Sequence, residues 1–286
     1  MKVSLSETTG FCQGVHLAIA KAREARKANG SDIYVLGMLV HNEEVVGTLE
    51  KEGIHCLDER EGSLSSLMER LPKGSLFLFS AHGHPLILEE KAKQLGLRFV
   101  DATCPFVISN EKAIEEAAKE IDCFYIGKPG HLECLSALSR SKRISLFNEK
   151  ELPENIDSTS HPQVFVQTTM GLEEIQKAFR KIQSVAPMAT LAGKRCPSAV
   201  KRQKAFSTLP SGVDLIIILG SQNSNNSKEL LQKAKQDQPL IPSFLVLSKN
   251  ELAKMDLLKY HHVYLASGAS TPIESVEEAA NYLKTI

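Results

Sequence analysis

Short apolar runs and amphipathic stretches alternate along the chain. Residues 3–6, 33–37, 76–79, 97–100, 122–126, 163–166, 214–219 and 262–265 are rich in Val, Ile, Leu, Phe and Tyr, which predicts short strands. Apolar positions recur at helical spacing over 15–28, 107–121, 173–185, 198–207 and 273–283, and two further helices end near residues 52 and 94. Asn29-Gly30 and Gly53 supply helix stops. Strands alternating with helices of this length predict parallel βαβ units, and no linker or low-complexity segment interrupts them.

The alternation is punctuated three times by a cysteine placed just ahead of a helix. The stretches are Gly10-Phe11-Cys12-Gln13-Gly14-Val15, Ala102-Thr103-Cys104-Pro105 and Lys194-Arg195-Cys196-Pro197. Cys12 to Cys104 and Cys104 to Cys196 are both intervals of 92 residues. Equal intervals predict three copies of one α/β unit, over 13–102, 103–195 and 196–286, with residues 1–12 packing centrally. A thiol near the positive end of a helix dipole is favoured as thiolate, the form that binds metal. Three such thiolates on a pseudo-threefold axis would hold a metal cluster and leave one coordination position open. Cys56, Cys123 and Cys134 lack this setting, and Cys123 reads as a small buried filler.

Each third also carries two strands that open into small, polar segments. The first follows its cysteine by 29, 27 and 28 residues, at His41, His131 and Ser224. The second follows by 70, 64 and 74 residues, at His82, Thr168 and Ser270. Ligands of open α/β sheets bind beyond the carboxyl ends of the strands. Hydroxyls, amides and imidazoles at helix N-termini suit a phosphate or diphosphate. Lys128 is the one cation within these segments, so neutral donors would carry most of the anion's hydrogen bonds.

Composition narrows the function without choosing it. The 286 residues hold 34 basic and 34 acidic side chains, so no net field recruits nucleic acid or an anionic membrane. The apolar stretch at 213–219, itself broken by Asp214, is far shorter than the ~20 residues of a membrane span, and no secretory pattern opens the chain. Six cysteines in a chain of this size do not form a secreted disulfide framework. The expectation is a cytoplasmic enzyme with no nucleic-acid or membrane partner.

Together the motifs resemble the 4-hydroxy-3-methylbut-2-enyl diphosphate reductase family. To the three cysteine stretches they add Val40-His41-Asn42, Ser80-Ala81-His82-Gly83, Gly130-His131-Leu132-Glu133, Gln167-Thr168-Thr169, Asn226-Ser227 and Gly268-Ala269-Ser270-Thr271-Pro272. The resemblance implies a trefoil of three α/β domains around a 4Fe–4S cluster held by Cys12, Cys104 and Cys196. It implies that Glu133 donates a proton, that Thr168 and His131 order the proton and the substrate hydroxyl, and that His41, His82, Ser224, Asn226 and Ser270 hold the diphosphate. Asn225 joins this binding set where the family carries a second serine. The implied reaction takes two electrons and two protons, expels water, and yields isopentenyl and dimethylallyl diphosphates. Ferredoxin or flavodoxin is the implied donor.

Several positions depart from the family pattern. Leu132 replaces a proline, Cys134 follows Glu133 directly, and Ser109-Asn110-Glu111 lacks the usual Lys and His. Arg195-Cys196-Pro197-Ser198 and Lys201-Arg202-Gln203 also differ, which marks a divergent member. Two alternatives stand beside the reductase: an iron–sulfur sensor that has kept the cluster, and a three-cysteine trefoil enzyme of the quinolinate synthase kind. Glu133 and Thr168 speak against the first, and the Ser-Ala-His and Gly-His-x-Glu segments against the second.

Overall fold

The computed structural model describes residues 1–147 and 161–286. Its strands are β1 (Lys2–Leu5), β2 (Ile33–Leu36), β3 (Ile54–Leu57), β4 (Leu76–Phe79), β5 (Arg98–Asp101), β6 (Cys123–Ile126), β7 (Ile144–Leu146), β8 (Gln163–Val166), β9 (Thr190–Leu191), β10 (Leu215–Leu219), β11 (Ser243–Val246) and β12 (His262–Ser267). Its helices are α1 (Gln13–Asn29), α2 (Glu43–Lys51), α3 (Leu64–Glu69), α4 (Ile87–Gln94), α5 (Pro105–Ala117), α6 (Leu132–Leu138), α7 (Leu172–Val185), α8 (Pro197–Lys204), α9 (Asn225–Asp237), α10 (Lys249–Leu252) and α11 (Ile273–Thr285).

Three four-stranded parallel sheets result, ordered β3-β2-β4-β5, β7-β6-β8-β9 and β11-β10-β12-β1. The expected α/β class with repeated parallel sheets is therefore what the chain adopts. In each sheet the two strands that open into polar segments lie side by side at the centre: β2 with β4, β6 with β8, and β10 with β12. The connections run outward from that pair in opposite directions, which makes it the switch point where α/β sheets bind ligands. The fourth strand of each sheet is the one that leads into a cysteine: β5, β9 and β1. Residues 2–5, part of the 1–12 segment, extend the last sheet beside β12.

The chain forms two compact units, one of Met1–His16, Val40–Glu52 and Cys196–Ile286, the other of Leu17–Leu39 and Gly53–Arg195. The first contains the β11-β10-β12-β1 sheet and the second the other two. Strand β10 is buried along its whole length, and its pleat feeds two apolar layers. Leu215, Ile217 and Leu219 face one layer with Val276, Ala279, Ala280 and Leu283 of α11. Ile216 and Ile218 face the other, with Leu230 and Ala234 of α9. In the second unit Phe124, Ile126, Val164 and Val166 pack on Ile175, Ala178 and Ile182 of α7. Tyr125 and Phe165 point the opposite way, toward Ile114 and Cys134.

The central strands agree closely with the sequence expectation, whereas β3, β7, β9 and β11 were not legible there. These lie on sheet edges or next to them, and β7 and β9 are too short to show a period. Residues 224–227 also differ from the loop expected of them. Ser224 is the N-cap of α9, its hydroxyl accepting from the Ser227 N–H at 3.3 Å, and Asn225 to Ser227 form the first turn. Glu133 lies in the first turn of α6 behind the N-cap His131, where a helix-start acid stands.

Candidate active site

In the second unit, the segments after β6 and β8 converge on one carboxylate. Glu133 is 3% exposed. Its Oε1 accepts from the Thr168 backbone N–H at 2.7 Å and from the Tyr125 hydroxyl at 3.1 Å, and its Oε2 accepts from the Thr168 hydroxyl at 3.0 Å. Burial pushes the carboxyl up to about 7, against the pull of the Thr168 and Tyr125 hydrogen bonds. The same buried carboxylate lifts the Tyr125 phenol further above its ordinary range, where its own desolvation already places it. Glu133 is thus a buried carboxyl poised to exchange a proton near neutral pH, held at both oxygens.

The imidazoles line up beside it. His131 Nδ1 accepts from the Glu133 backbone N–H at 3.2 Å, so in the neutral ring the proton sits on Nε2. His82, from the segment after β4, meets His131 edge to face with ring centroids 5.6 Å apart, and its Nδ1 is 3.3 Å from Ser80 Oγ. Gln167 ties the two segments together, its Oε1 accepting from the Lys128 N–H at 2.9 Å. His84 serves structure, as its place beside Pro85 suggests. It is buried, stacks on Phe79 with centroids 3.5 Å apart, and contacts Glu89 at 3.1 Å.

In the first unit, the segments after β2, β10 and β12 meet. Ser270 Oγ donates to the His41 carbonyl at 3.4 Å. Asn42 caps α2, its Oδ1 accepting from the Glu44 and Val45 N–H groups. Glu43 accepts from Ser221 Oγ at 2.8 Å and Asn223 Nδ2 at 2.7 Å, which fixes the segment that carries Ser224. Asn225 and Asn226 follow at the start of α9, and both polar side-chain atoms of Asn226 are buried without a partner. An amide in that state at a helix N-terminus is a socket for an outside group. Close approach makes the socket possible: a Cβ on Gly220 would lie 2.3 Å from Ser227 Oγ, and one on Gly268 2.4 Å.

The three cysteines of the repeat are thiols, each only partly buried. Cys104 and Cys196 stand at the N-caps of α5 and α8 with Pro105 and Pro197 behind them, and neither side chain makes a capping bond. Cys12 Sγ accepts from the Val15 N–H at 3.4 Å. Among the described residues no three His, Cys, Asp or Glu side chains form a ready-made metal site. The donor chemistry nonetheless fits a cluster, since these are soft thiol ligands at the starts of helices. Cys123 and Cys134 differ. Burial pushes their thiols up to about 11 and about 12, as expected of packing residues.

The sequence matches the family described as LytB protein over residues 3–284. The chain belongs to the LytB family. Its relatives include the 4-hydroxy-3-methylbut-2-enyl diphosphate reductase of Malacoplasma penetrans (strain HF-2), 31% identical over 281 residues, covering 95% of this chain and 93% of that one. The reductase of the same name from Bacillus mycoides (strain KBAB4) is 32% identical, covering 99% and 90%. A solved structure of the E-1-hydroxy-2-methyl-but-2-enyl-4-diphosphate reductase from Plasmodium falciparum superposes with a TM-score of 0.86 at 28% identity, over 98% of this chain and 87% of that one. Another, of the (E)-4-hydroxy-3-methyl-but-2-enyl diphosphate reductase that is the terminal enzyme of the non-mevalonate pathway, matches with a TM-score of 0.70 at 24% identity, which bears on the fold alone.

For a LytB chain the substitutions after Cys104 are self-consistent. Asn110 Nδ2 donates to the Lys194 carbonyl at 2.8 Å, and its Oδ1 accepts from the Lys194 N–H at 3.1 Å. Glu111, buried, pairs with Arg140 at 2.7 Å and with Ser136, whose hydroxyl also donates to the His84 carbonyl. Tyr125 and Glu43 are further residues that the sequence did not single out, and Gln167 was noted there only as part of a motif. Tyr125 sits in a strand that reads as plain core, and nothing in its spacing marks the hydroxyl.

Proposed function

We propose that this LytB protein reductively dehydroxylates 4-hydroxy-3-methylbut-2-enyl diphosphate to isopentenyl and dimethylallyl diphosphates. The reaction consumes two electrons and two protons and releases water. The observation that carries the reading is Glu133: a buried carboxyl raised to about 7 and gripped at both oxygens by Thr168. A non-catalytic sensor has no use for such a group.

In this reading Cys12, Cys104 and Cys196 hold a 4Fe–4S cluster. When bound, the cluster supplies electrons and Lewis acidity for loss of the allylic hydroxyl. Oε1 of Glu133 is already occupied by two donors, which leaves Oε2 to carry the proton. Thr168 Oγ1 then accepts from Oε2 and turns its own hydrogen toward the substrate. His131 presents Nε2–H to the same region, because its Nδ1 is engaged by the Glu133 N–H. The diphosphate is held by His41, His82, Ser224, Asn225, Asn226 and Ser270, with the α9 N–H dipoles adding to the field. Reduced ferredoxin or flavodoxin is the proposed donor, and the cytoplasm, where thiols stay reduced, the proposed compartment. Among the described residues no helix is long and apolar enough to cross a membrane.

Glu133→Gln tests the reading. It keeps the shape and removes the proton, so turnover should fall at least 100-fold while iron content and binding of the allylic diphosphate persist. Undiminished turnover in that variant would remove Glu133 as the donor.

A further inference from the structure

Arg202 is the most deeply buried guanidinium described, 2% exposed, and it belongs to no part of the site above. It lies on α8, six residues after Cys196. Nη1 donates to the Thr8 carbonyl at 3.0 Å and the Ser267 carbonyl at 2.9 Å, and Nη2 donates to the Gly10 carbonyl at 2.7 Å. Ser267 Oγ in turn accepts from the Gly10 N–H at 3.1 Å, and the Cys12 N–H reaches the Ala269 carbonyl at 3.0 Å. One planar fork therefore clamps the segment leading into Cys12 to the end of β12, from the helix that Cys196 begins.

The carbonyls satisfy the hydrogen bonds but leave the charge. Among the described residues no carboxylate pairs with Arg202, and the groups that act on its charge favourably are Cys12 and Cys196. Burial opposes the cation, yet a guanidinium stays protonated. A buried cation without an anion is strongly unfavourable, so a negatively charged group bound next to the Cys12 segment would be favoured by Arg202.

We infer that Arg202 is a positioning residue that sets the Cys12 segment against Cys196 and supplies the fixed positive charge that tunes a cluster held there. The inference rests on the cluster reading above. Reduction adds negative charge beside Arg202, so the guanidinium favours the reduced state and raises the potential. Lysine keeps the charge and loses the fork; glutamine loses both.

The test compares wild type, Arg202→Lys and Arg202→Gln, each reconstituted anaerobically, by iron and sulfide content, the midpoint potential from a redox titration followed by electron paramagnetic resonance, and iron loss to a chelator. In Arg202→Gln the one-electron reduction constant should fall about tenfold, ~59 mV. In Arg202→Lys it should stay within about twofold of wild type, while iron is lost several-fold faster in both. Equal potentials in all three, or the same shift in both variants, would overturn the inference. Should Arg202→Gln not fold by circular dichroism, Arg202→Lys decides alone, since a tenfold change there contradicts a role for charge. A wild-type chain that takes up no cluster overturns the functional reading with it, whereas a wild-type cluster indifferent to residue 202 overturns this inference only.

Discussion

Thr168 grips Glu133 by both oxygens, with its backbone N–H 2.7 Å from Oε1 and its hydroxyl 3.0 Å from Oε2. The grip and the burial act in opposite directions on the carboxyl, and burial prevails, leaving it at about 7. A donor must be protonated to act, so turnover should decline as pH rises through about 7. A rate profile flat from pH 6 to 9, with substrate and reductant saturating, would contradict this.

Thr168→Val separates the two halves of the grip. The backbone bond survives and the hydroxyl bond is lost. A hydrogen bond to the charged form lowers a carboxyl, so its loss should move the alkaline limb of the profile to higher pH. Loss of the relay should lower the maximal rate about 10- to 100-fold. Thr168→Ser, which keeps the hydroxyl, should restore both toward wild type.

Glu133 also couples stability to pH. Its folded value, about 7, lies above the ordinary carboxyl value of 4.5, so between these pH values the folded protein binds more protons than the unfolded. The contribution is complete below about 4.5 and is lost as pH rises through about 7, a change on the order of 3 kcal/mol. Glu133→Gln removes the titration, and its melting temperature relative to wild type should be higher at pH 8 than at pH 5. An equal difference at both pH values would show that the carboxyl is not perturbed.

Asn226 has two buried amide atoms without partners. Removing such a group costs the free protein little and can stabilise it, whereas a bound diphosphate loses hydrogen bonds to a charged acceptor. Asn226→Ala should therefore melt no lower than wild type and bind the allylic diphosphate about 10- to 100-fold more weakly by calorimetry. Wild-type affinity in this variant would move the anion away from the start of α9.

The thiols divide sharply. Cys196→Ser should abolish cluster assembly on anaerobic reconstitution, and Cys56→Ser, on edge strand β3, should leave iron content unchanged. Equal loss in both would dissolve the ligand assignment.

Much of the scaffold was legible because the central strands are continuous apolar runs with polar segments at fixed distances from a cysteine. Leu76 to Phe79 and Gln163 to Val166 were bounded correctly from composition alone. The site's chemistry was legible in residue identity, but not its energetics. Glu133 looks like an ordinary helix-start acid until Tyr125 and Thr168 are seen closing over it. Long-range partners such as Arg202 with Thr8 and Gly10 have no local signature, because nothing in a spacing announces a contact across more than 190 residues.

Among the described residues, strand β1 has β12 as its only sheet partner. During synthesis, then, the first strand to emerge waits for nearly the last, and the segment bearing Cys12 stays unanchored until Ser267 and Ala269 exist to hold it. Strands β2 to β9, by contrast, pair among themselves along the way. A chain truncated before residue 262 should keep those inner pairings yet lack a placed first cysteine.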